Sequence, residues 1–184
     1  MTEKTSLIFL LLCSVIIPVS SLDFPTKFED LEYAKIVENG RTDIPLTGIN
    51  GFVLSARRNN LNAHSFNLIT FYIQNNAGLD AIEIMDSDSK SSFSMRTEDF
   101  DGEQIVSTCI VIKPSTENSL YLIRIARTIT NSFSEPSSTL ASVYKLEYSE
   151  VEGRYIFRSF KTIVCKNKYR SATDAITEIV RNFT

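Results

Sequence analysis

Apolar and polar residues alternate along most of the chain after residue 51. In the segment 65–75, Ile69, Phe71 and Ile73 fall on one face of an extended chain and the residues between them fall on the other. Alternation with a period of two is typical of β-strands. The same pattern predicts further strands at 106–113, 121–125, 144–148 and 154–165, with weaker ones at 51–56, 81–85 and 92–96.

Clusters of turn-forming residues separate these segments. Asn, Gly, Pro and Ser are favoured in turns because they adopt or stabilise tight backbone bends. The clusters lie at 57–60, 75–78, 113–115 and 131–138. Short strands joined by short turns favour antiparallel pairing, and about eight of them form either a barrel or a strongly curved sheet.

A helix is predicted before the strands. Thr26 and Glu29 have the spacing of a capping box, in which each side chain accepts a hydrogen bond from a free amide of the first turn. Apolar residues follow, and Gly40 is suited to end a helix because glycine adopts the left-handed conformation at low cost. We therefore expect an N-terminal helix between Thr26 and Gly40.

A second helix is predicted at the end of the chain. Ile176, Ile179, Val180 and Phe183 recur at the helical spacing and form one apolar stripe, and a capping pair, Ser171 with Asp174, precedes them. The predicted fold is therefore α+β and strand-dominated. It consists of an N-terminal helix, about eight antiparallel strands and a packed C-terminal helix in a single domain spanning residues 22–184.

The first 21 residues have the layout of a secretory signal peptide. Lys4 precedes an uninterrupted apolar run from Leu7 to Val19, and Ser21 stands where signal peptidase requires a small residue. The run is shorter than the stretch of about 20 apolar residues that crosses a bilayer. We expect cleavage after Ser21, secretion of residues 22–184, an extracellular location and no membrane span.

Composition bounds the choice of partner. The chain has 184 residues, of which 43% are hydrophobic, and this is enough to fill an ordinary core. Its formal net charge of −3 argues against nucleic acid as a partner, because phosphate binding needs a basic face. Charge is nevertheless uneven, and we expect either two solvated faces that attract each other weakly or a contact site for a charged partner. The acidic middle segment contains Asp80, Glu83, Asp86, Asp88, Glu98, Asp99, Asp101 and Glu103. The basic later segment contains Arg154, Arg158, Lys161, Lys166, Lys168 and Arg170.

Two cysteines remain once Cys13 is removed with the signal peptide. In an oxidising compartment Cys109 and Cys165 can form one disulfide bond. Such a bond would close the loop from 109 to 165 and stabilise the fold by about 4 kcal/mol in the chain-entropy model. The alternatives are two free thiols or a nucleophilic cysteine. We expect the bond.

Catalytic and metal-binding motifs are not found in the sequence. His64 is the only histidine and lies in a polar segment, so a Ser–His or Cys–His mechanism would depend on it. The segment from Asp86 to Ser89 resembles the start of a calcium loop, but Ser91 and Thr97 occupy the positions that need Gly and a bidentate Glu. We predict no catalytic residue, no metal site and no cofactor. An irregular calcium site in the acidic segment 80–103 is left open.

One glycosylation sequon is present, at Asn182 to Thr184. Phe183 within it belongs to the apolar stripe of the predicted helix. We therefore expect Asn182 to be a poorly occupied site.

The order of predicted elements is similar to that of secreted lipocalins, which pair a signal peptide with an eight-stranded barrel and a late helix. The resemblance is in architecture, since their Gly-x-Trp start cannot occur in a chain without Trp. Eight strands with a helix at each end can enclose an apolar cup for a small hydrophobic ligand. Its candidate lining residues either line such a cup or simply fill the core; they are Phe71, Ile110, Ile123, Tyr144 and Tyr148.

Three functions therefore stay open. The sequence favours a secreted, non-enzymatic binding protein whose partner is an extracellular protein or surface. The first alternative is an extracellular carrier of a small hydrophobic ligand. The second is a secreted enzyme that uses an unrecognised pair of carboxylates, since acidic residues are plentiful and glycoside hydrolysis needs only two of them.

Overall fold

Backbone pairing builds two sheets from strands that are mostly antiparallel. The computed structural model describes residues 30–46, 49–61, 64–100 and 104–183. Within these residues the strands, in chain order, are β1 (Leu31–Ile36), β2 (Gly40–Leu46), β3 (Ile49–Arg58), β4 (Phe66–Asn75), β5 (Gly78–Ala81), β6 (Glu83–Met85), β7 (Ser91–Ser92), β8 (Met95–Phe100), β9 (Gln104–Ile105), β10 (Ser107–Pro114), β11 (Tyr121–Arg127), β12 (Thr139–Ser149) and β13 (Arg154–Val164). A 3-10 turn (Thr173–Ala175) and the helix α1 (Ile176–Phe183) follow them.

The first sheet has seven strands in the order β1-β10-β11-β12-β13-β6-β7. Strands β10 to β13 follow one another as antiparallel neighbours, while β1 and β6 are added at either side. Strand β6 pairs with β13 in the parallel direction, with Glu83 opposite Ile156. The expected antiparallel arrangement therefore has this exception.

The second sheet has the order β2-β3-β4-β8-β9, and β5 pairs with β4 outside that path. It curls into a half-barrel. The expectation of a strand-dominated fold with a strongly curved sheet is therefore confirmed. The chain divides its strands between two sheets, however, and the curled one is a half-barrel.

The seven-stranded sheet lies between two apolar cores, and every residue of β10 except Lys113 is buried. One core, the helix-side core, includes the C-terminal helix and consists of Ile36, Ile110, Ile112, Tyr121, Ile123, Ile125, Ala141, Val143, Ile163, Cys165, Ala172, Ala175, Ile176, Ile179 and Val180. The other, the half-barrel-side core, consists of Val37, Ile44, Val53, Ile69, Phe71, Ile73, Ile82, Ile84, Met95, Cys109, Val111, Leu120, Leu122, Tyr144 and Phe157. Helix, sheet and half-barrel thus form three layers of one β-rich domain.

The predicted C-terminal helix is present as α1. Ile176, Ile179 and Val180 are fully buried in the helix-side core, and Phe183 packs at its margin. The expected capping pair does not form, since the helix is preceded by the 3-10 turn, whose N-cap residue is Ala172 and has no side-chain capping hydrogen bond. The apolar stripe, rather than a cap, therefore holds this helix in place.

The predicted N-terminal helix is wrong where the structure describes the chain. Residues 31–36 form β1, which pairs with β10, and residues 40–46 form β2. Ile36 enters the helix-side core while Val37 enters the half-barrel-side core, so the chain here follows a strand-like alternation. Gly40 has a φ of 105° and begins a strand instead of ending a helix. Thr26 and Glu29 lie outside the described residues.

The expected Cys109–Cys165 disulfide is also wrong, because both thiols are free. Cys109 lies in the half-barrel-side core and Cys165 lies in the helix-side core, so the sheet separates them. Strand β10 is also three strands away from β13, a distance of roughly 14 Å at about 4.8 Å per strand. A disulfide needs Cα atoms within about 7 Å of each other.

The predicted signal peptide, residues 1–21, lies outside the described residues. Among the residues that are described, no helix is long and apolar enough to cross a bilayer. Cleavage after Ser21 stays a prediction.

Candidate binding cleft

An open cleft of about 540 Å³ lies where the β4–β5 turn faces the β12–β13 turn. Its volume falls within the range of about 300–1,000 Å³ that is usual for ligand sites. The residues around it are mainly amides, phenols and charged groups over an apolar floor. They are Asn50, Ile73, Gln74, Asn75, Asn76, Asp80, Ala81, Ile82, Tyr148, Gly153, Arg154 and Tyr155.

The first wall is a turn that Asn75 holds in shape. Its Oδ1 accepts hydrogen bonds from the backbone amides of Ala77 at 2.8 Å and Gly78 at 2.9 Å. Its Nδ2 donates to Asp80 Oδ2 across the hairpin. Gly78 has a φ of 143°, a conformation that side chains disfavour, which explains glycine at this position. The predicted turn at 75–78 is therefore a preformed wall of the cleft.

The second wall carries two aromatic rings at the ends of β12 and β13. Tyr148 and Tyr155 are cross-strand partners, and their rings contact edge to face with centroids 5.1 Å apart. The turn between them closes with a 2.8 Å hydrogen bond from the Gly153 amide to the Ser149 carbonyl, and Gly153 has a φ of 66°. Tyr148 is 54% exposed and presents its ring to the cleft.

Arg154, the cation that lines the cleft, is already paired with carboxylates. Arg154 donates through Nη2 to the buried carboxylate of Glu83 and through Nε to Glu152 at 3.0 Å. The Glu83 side chain is 8% exposed and that of Arg154 is 40% exposed, so the pair is protected from solvent on one side. A buried carboxylate needs such a partner, because an unpaired charge in this position would be costly.

The floor lies at the point where the chain passes from one sheet to the other. Ile82 is the single residue between β5 and β6, and it is fully buried beside Ile73 in the half-barrel-side core. Its amide donates a 2.8 Å hydrogen bond to the Phe71 carbonyl. This connection fixes Asp80 and Glu83 on opposite sides of one anchored residue, so the cleft has a rigid base.

The chemistry of the cleft suits recognition of polar groups. Side-chain amides both donate and accept hydrogen bonds, and phenols do the same. Two tyrosine rings add apolar surface, which increases contact area at low entropic cost. Among the residues that line the cleft, Asp80 is the one acid, and it accepts a hydrogen bond from Asn75. The arrangement therefore suits hydrogen bonding to polar groups.

The residues predicted to line an apolar cup do not share a cavity. Phe71 and Tyr144 lie in the half-barrel-side core, whereas Ile110 and Ile123 lie in the helix-side core, on the opposite face of the sheet. All four are buried and fill their cores. Tyr148 is the member of the set that reaches a cavity, and that cavity is the polar cleft.

The other candidate residues are dispersed. His64 lies near the rings of Phe100 and Phe133, with centroids 5.3 Å and 6.0 Å away. Asp86 accepts a 2.6 Å hydrogen bond from the Tyr144 hydroxyl, and Asp88 pairs with Lys90 at 2.8 Å.

Within the described residues, the acidic segment 80–100 contributes to no group of three or more His, Cys, Asp or Glu side chains that could hold a metal ion. Asp101 and Glu103 lie outside those residues. Asn182 is exposed near the end of α1, and Thr184 of its sequon is not described. Glycosylation of Asn182 stays a prediction.

The uneven charge of the sequence has a structural outcome at the cleft. Glu83 belongs to the acidic middle segment and Arg154 belongs to the basic later segment, and the two form an ion pair. Both residues are evident in the sequence, but their pairing is not. Nothing local indicates that the two turns, 75–78 and 149–153, face each other.

Comparisons with known proteins give a fold but no family. No family model matches the chain, and no curated protein matches it. Among solved structures, the crystal structure of CarG is similar, with a TM-score of 0.61 and 19% sequence identity. The similarity covers 77% of this chain and 92% of CarG. At this level of identity the likeness shows a shared fold.

Proposed function

We propose that this chain is a secreted, non-enzymatic binding protein. The cleft between the β4–β5 and β12–β13 turns is its binding site for a polar, uncharged group on an extracellular protein or surface. The observation that carries the proposal is the cleft itself. Its Asn75 amide and its two tyrosine rings are held in place, Arg154 is paired with two carboxylates, and Asp80 is bonded to Asn75.

The pairing of charges explains the preference for an uncharged group. An anionic ligand would have to compete with Glu83 and Glu152 for Arg154. Exchanging one carboxylate for another there gains little, because each charge must be desolvated again. A cationic ligand would have to displace Asn75 from Asp80. The amides of Asn50, Gln74 and Asn76 can instead bond hydroxyl or amide groups of a partner.

The same geometry supports the two alternative functions, a carrier of hydrophobic ligands and a carboxylate enzyme, less well. A carrier of hydrophobic ligands needs an apolar cavity, and four of the five residues expected to line one fill the cores. A carboxylate enzyme needs an acid that is available to its substrate. Glu83 and Asp80 each have a partner already.

The test uses the mature chain and a panel of small fragments observed by ligand-detected NMR. The panel contains neutral hydroxyl-rich fragments, amide fragments and apolar fragments. We expect polar fragments to bind, and we expect Tyr148→Ala to weaken their affinity at least fivefold. Phe160→Ala is the matched control, because Phe160 is 53% exposed and does not line the cleft.

Two outcomes would contradict the proposal. Binding of apolar fragments in preference to polar ones would support the carrier. Equal effects of Tyr148→Ala and Phe160→Ala on fragment binding would show that the fragments do not bind in the cleft. Export is tested independently by N-terminal sequencing of protein from the culture medium of expressing cells, which should begin at Leu22.

A further inference from the structure

Three cations stand at every second position in the segment that joins β13 to the 3-10 turn. They are Lys166, Lys168 and Arg170, and we call them the basic strip. All three are exposed. The residues between them, Asn167 and Tyr169, both donate to the carboxylate of Glu178 on α1. The three cations are thus exposed on one short segment that is bonded to the helix.

The segment is held in a fixed shape. Glu178 accepts three hydrogen bonds, from the Lys166 amide, from Asn167 Nδ2 at 2.9 Å and from the Tyr169 hydroxyl at 2.7 Å. Tyr169 also forms an antiparallel bridge with Ser137, with backbone bonds of 2.9 Å and 3.0 Å. Cations on a fixed backbone lose less conformational freedom on binding than cations on a mobile loop.

A buried arginine anchors the same segment from below. Arg127 Nε donates to the Tyr169 carbonyl at 3.1 Å, and its Nη2 donates to the carbonyls of Phe133 and Glu135 at 3.1 Å and 2.7 Å. This side chain ties the 133–137 loop and the strip to the end of β11. These hydrogen bonds go to backbone carbonyls and do not involve the cationic groups of the basic strip.

The strip is not neutralised by the protein. Within the described residues, no acid lies within ion-pair distance of Lys166, Lys168 or Arg170. The protein as a whole carries a formal net charge of −3, so the strip is a local positive feature on an acidic molecule. The Cα atoms of residues i and i+2 are separated by at most about 7 Å. The three cations are therefore closely spaced.

We propose that the basic strip binds a linear acidic polysaccharide that carries sulfate groups. A row of fixed cations complements a row of anionic groups along a chain, and binding releases the counterions of the polymer. The choice of an extracellular polymer rests on the predicted export of the protein. Tyr169, the aromatic residue within the segment, is half-buried and bonded to Glu178, which disfavours stacking of nucleic-acid bases on its ring. Three cations alone give only modest binding to an anionic membrane.

The experiment measures binding of the mature chain to immobilised dextran sulfate, with neutral dextran as the uncharged polymer. We expect salt-dependent binding to dextran sulfate and none to dextran. The triple variant Lys166→Gln, Lys168→Gln and Arg170→Gln should bind at least tenfold more weakly. The matched control is Lys35→Gln, Arg58→Gln and Lys90→Gln, which removes the same charge from three other exposed positions and should change binding less than threefold.

Two results would overturn the assignment of the strip. Equal losses in the two triple variants would mean that binding follows net charge. Tighter binding to single-stranded DNA or to vesicles containing phosphatidylserine, at the same ionic strength, would assign the strip to another partner.

A second variant tests the fixed shape separately. Glu178→Ala removes a negative charge behind the strip, so simple electrostatics predicts tighter binding to dextran sulfate. If the carboxylate acts by holding the segment, binding should instead weaken severalfold. Tyr169→Phe removes one bond to Glu178 without a change of charge and should weaken binding in the same direction. Thermal unfolding must show that both variants are folded, and tighter binding of a folded Glu178→Ala protein would refute this role.

Discussion

The two faces of the seven-stranded sheet are covered in different ways. On one face, a whole curled sheet supplies the cover, with contributions from β2, β3, β4 and β8. On the other face, the residues between 172 and 180 supply it from one short segment. The same sheet therefore depends on many strands at one face and on a few helical side chains at the other. A cover made from a short segment opens locally more readily than a cover made from a paired sheet.

The largest effect should come from the half-barrel side. Phe71 is fully buried, and its ring contacts Phe157 edge to face at 5.0 Å across the two sheets. Replacing Phe71 by Ala should lower the free energy of unfolding by about 3–5 kcal/mol, because the substitution leaves a cavity between two packed sheets. Urea denaturation measures this change. A loss below about 1 kcal/mol would mean that the two sheets do not pack together through this pair.

A similar but more local effect is expected on the helix side. Ile179→Ala should cost about 2–5 kcal/mol, since Ile179 is fully buried. Arg181→Ala, at an exposed position of the same helix, should change stability by no more than about 0.5 kcal/mol. Hydrogen exchange should also show the amides of α1 opening before those of β4. Small, equal effects at both positions would mean that the helix does not cover the sheet.

A smaller effect is expected at Glu178, a half-buried residue of α1. Partial burial raises the pKa of its carboxyl, but hydrogen bonds from Tyr169, Lys166 and Asn167 outweigh this, and the pKa is lowered overall. A lowered pKa in the folded state means that the charged form stabilises the protein at neutral pH. This stability is lost as pH falls through the folded pKa, below the ordinary value of 4.5.

Glu178→Gln should therefore cost about 1–2 kcal/mol at pH 7, from the loss of charge-assisted hydrogen bonds. The difference from the unsubstituted protein should shrink in acid, where both side chains are neutral. Stability measured by urea denaturation between pH 7 and pH 3 checks this. A difference that stays constant over that range would show that the charge of Glu178 contributes nothing.

The smallest effect is expected in a test that changes no residue. It uses the reactivity of the Cys109 and Cys165 thiols to report opening of the half-barrel-side core and of the helix-side core. Burial raises the pKa of Cys109, and burial together with the nearby Glu178 raises the pKa of Cys165 to about 11. Alkylating reagents attack the thiolate, so both cysteines should react slowly in the native protein at pH 8. As urea increases, Cys165 should be labelled first because it lies under the helix.

Mass spectrometry of the labelled peptides follows the order of reaction. Simultaneous labelling of both thiols would mean that the two faces of the sheet open together and that the helix does not open before the half-barrel. Recovery of a cross-linked peptide containing both cysteines would contradict their placement on opposite faces.

Strand positions and the last helix were predictable because their signals are local. Alternation in β4 and the stripe of Ile176, Ile179 and Val180 each lie within one element. The face assignments were not predictable in the same way. Strand β10 is buried on both sides, so its alternation did not indicate which core received Cys109. The expected disulfide was wrong for this reason.

Long-range pairing explains the other failures. Capping signals near Thr26 and Gly40 favoured a helix, but β1 gains its hydrogen bonds from β10, far along the chain. The cleft depends on the passage of the chain at Ile82 from one sheet to the other, and on the pairing of β6 with β13. Tyr148 was a candidate lining residue, yet its surroundings follow from that topology and not from its neighbours in sequence.

The parallel pairing of β6 with β13 has a consequence for the order of folding. Strands β10 to β13 are joined by turns and can form as successive hairpins, whereas Glu83 and Ile156 must meet across a long intervening chain. Such non-local contacts form slowly, because the entropy of closing the loop is lost before the contacts are gained. A chain that has completed its hairpins but has not yet joined Glu83 to Arg154 would have nearly all of its strands and no cleft.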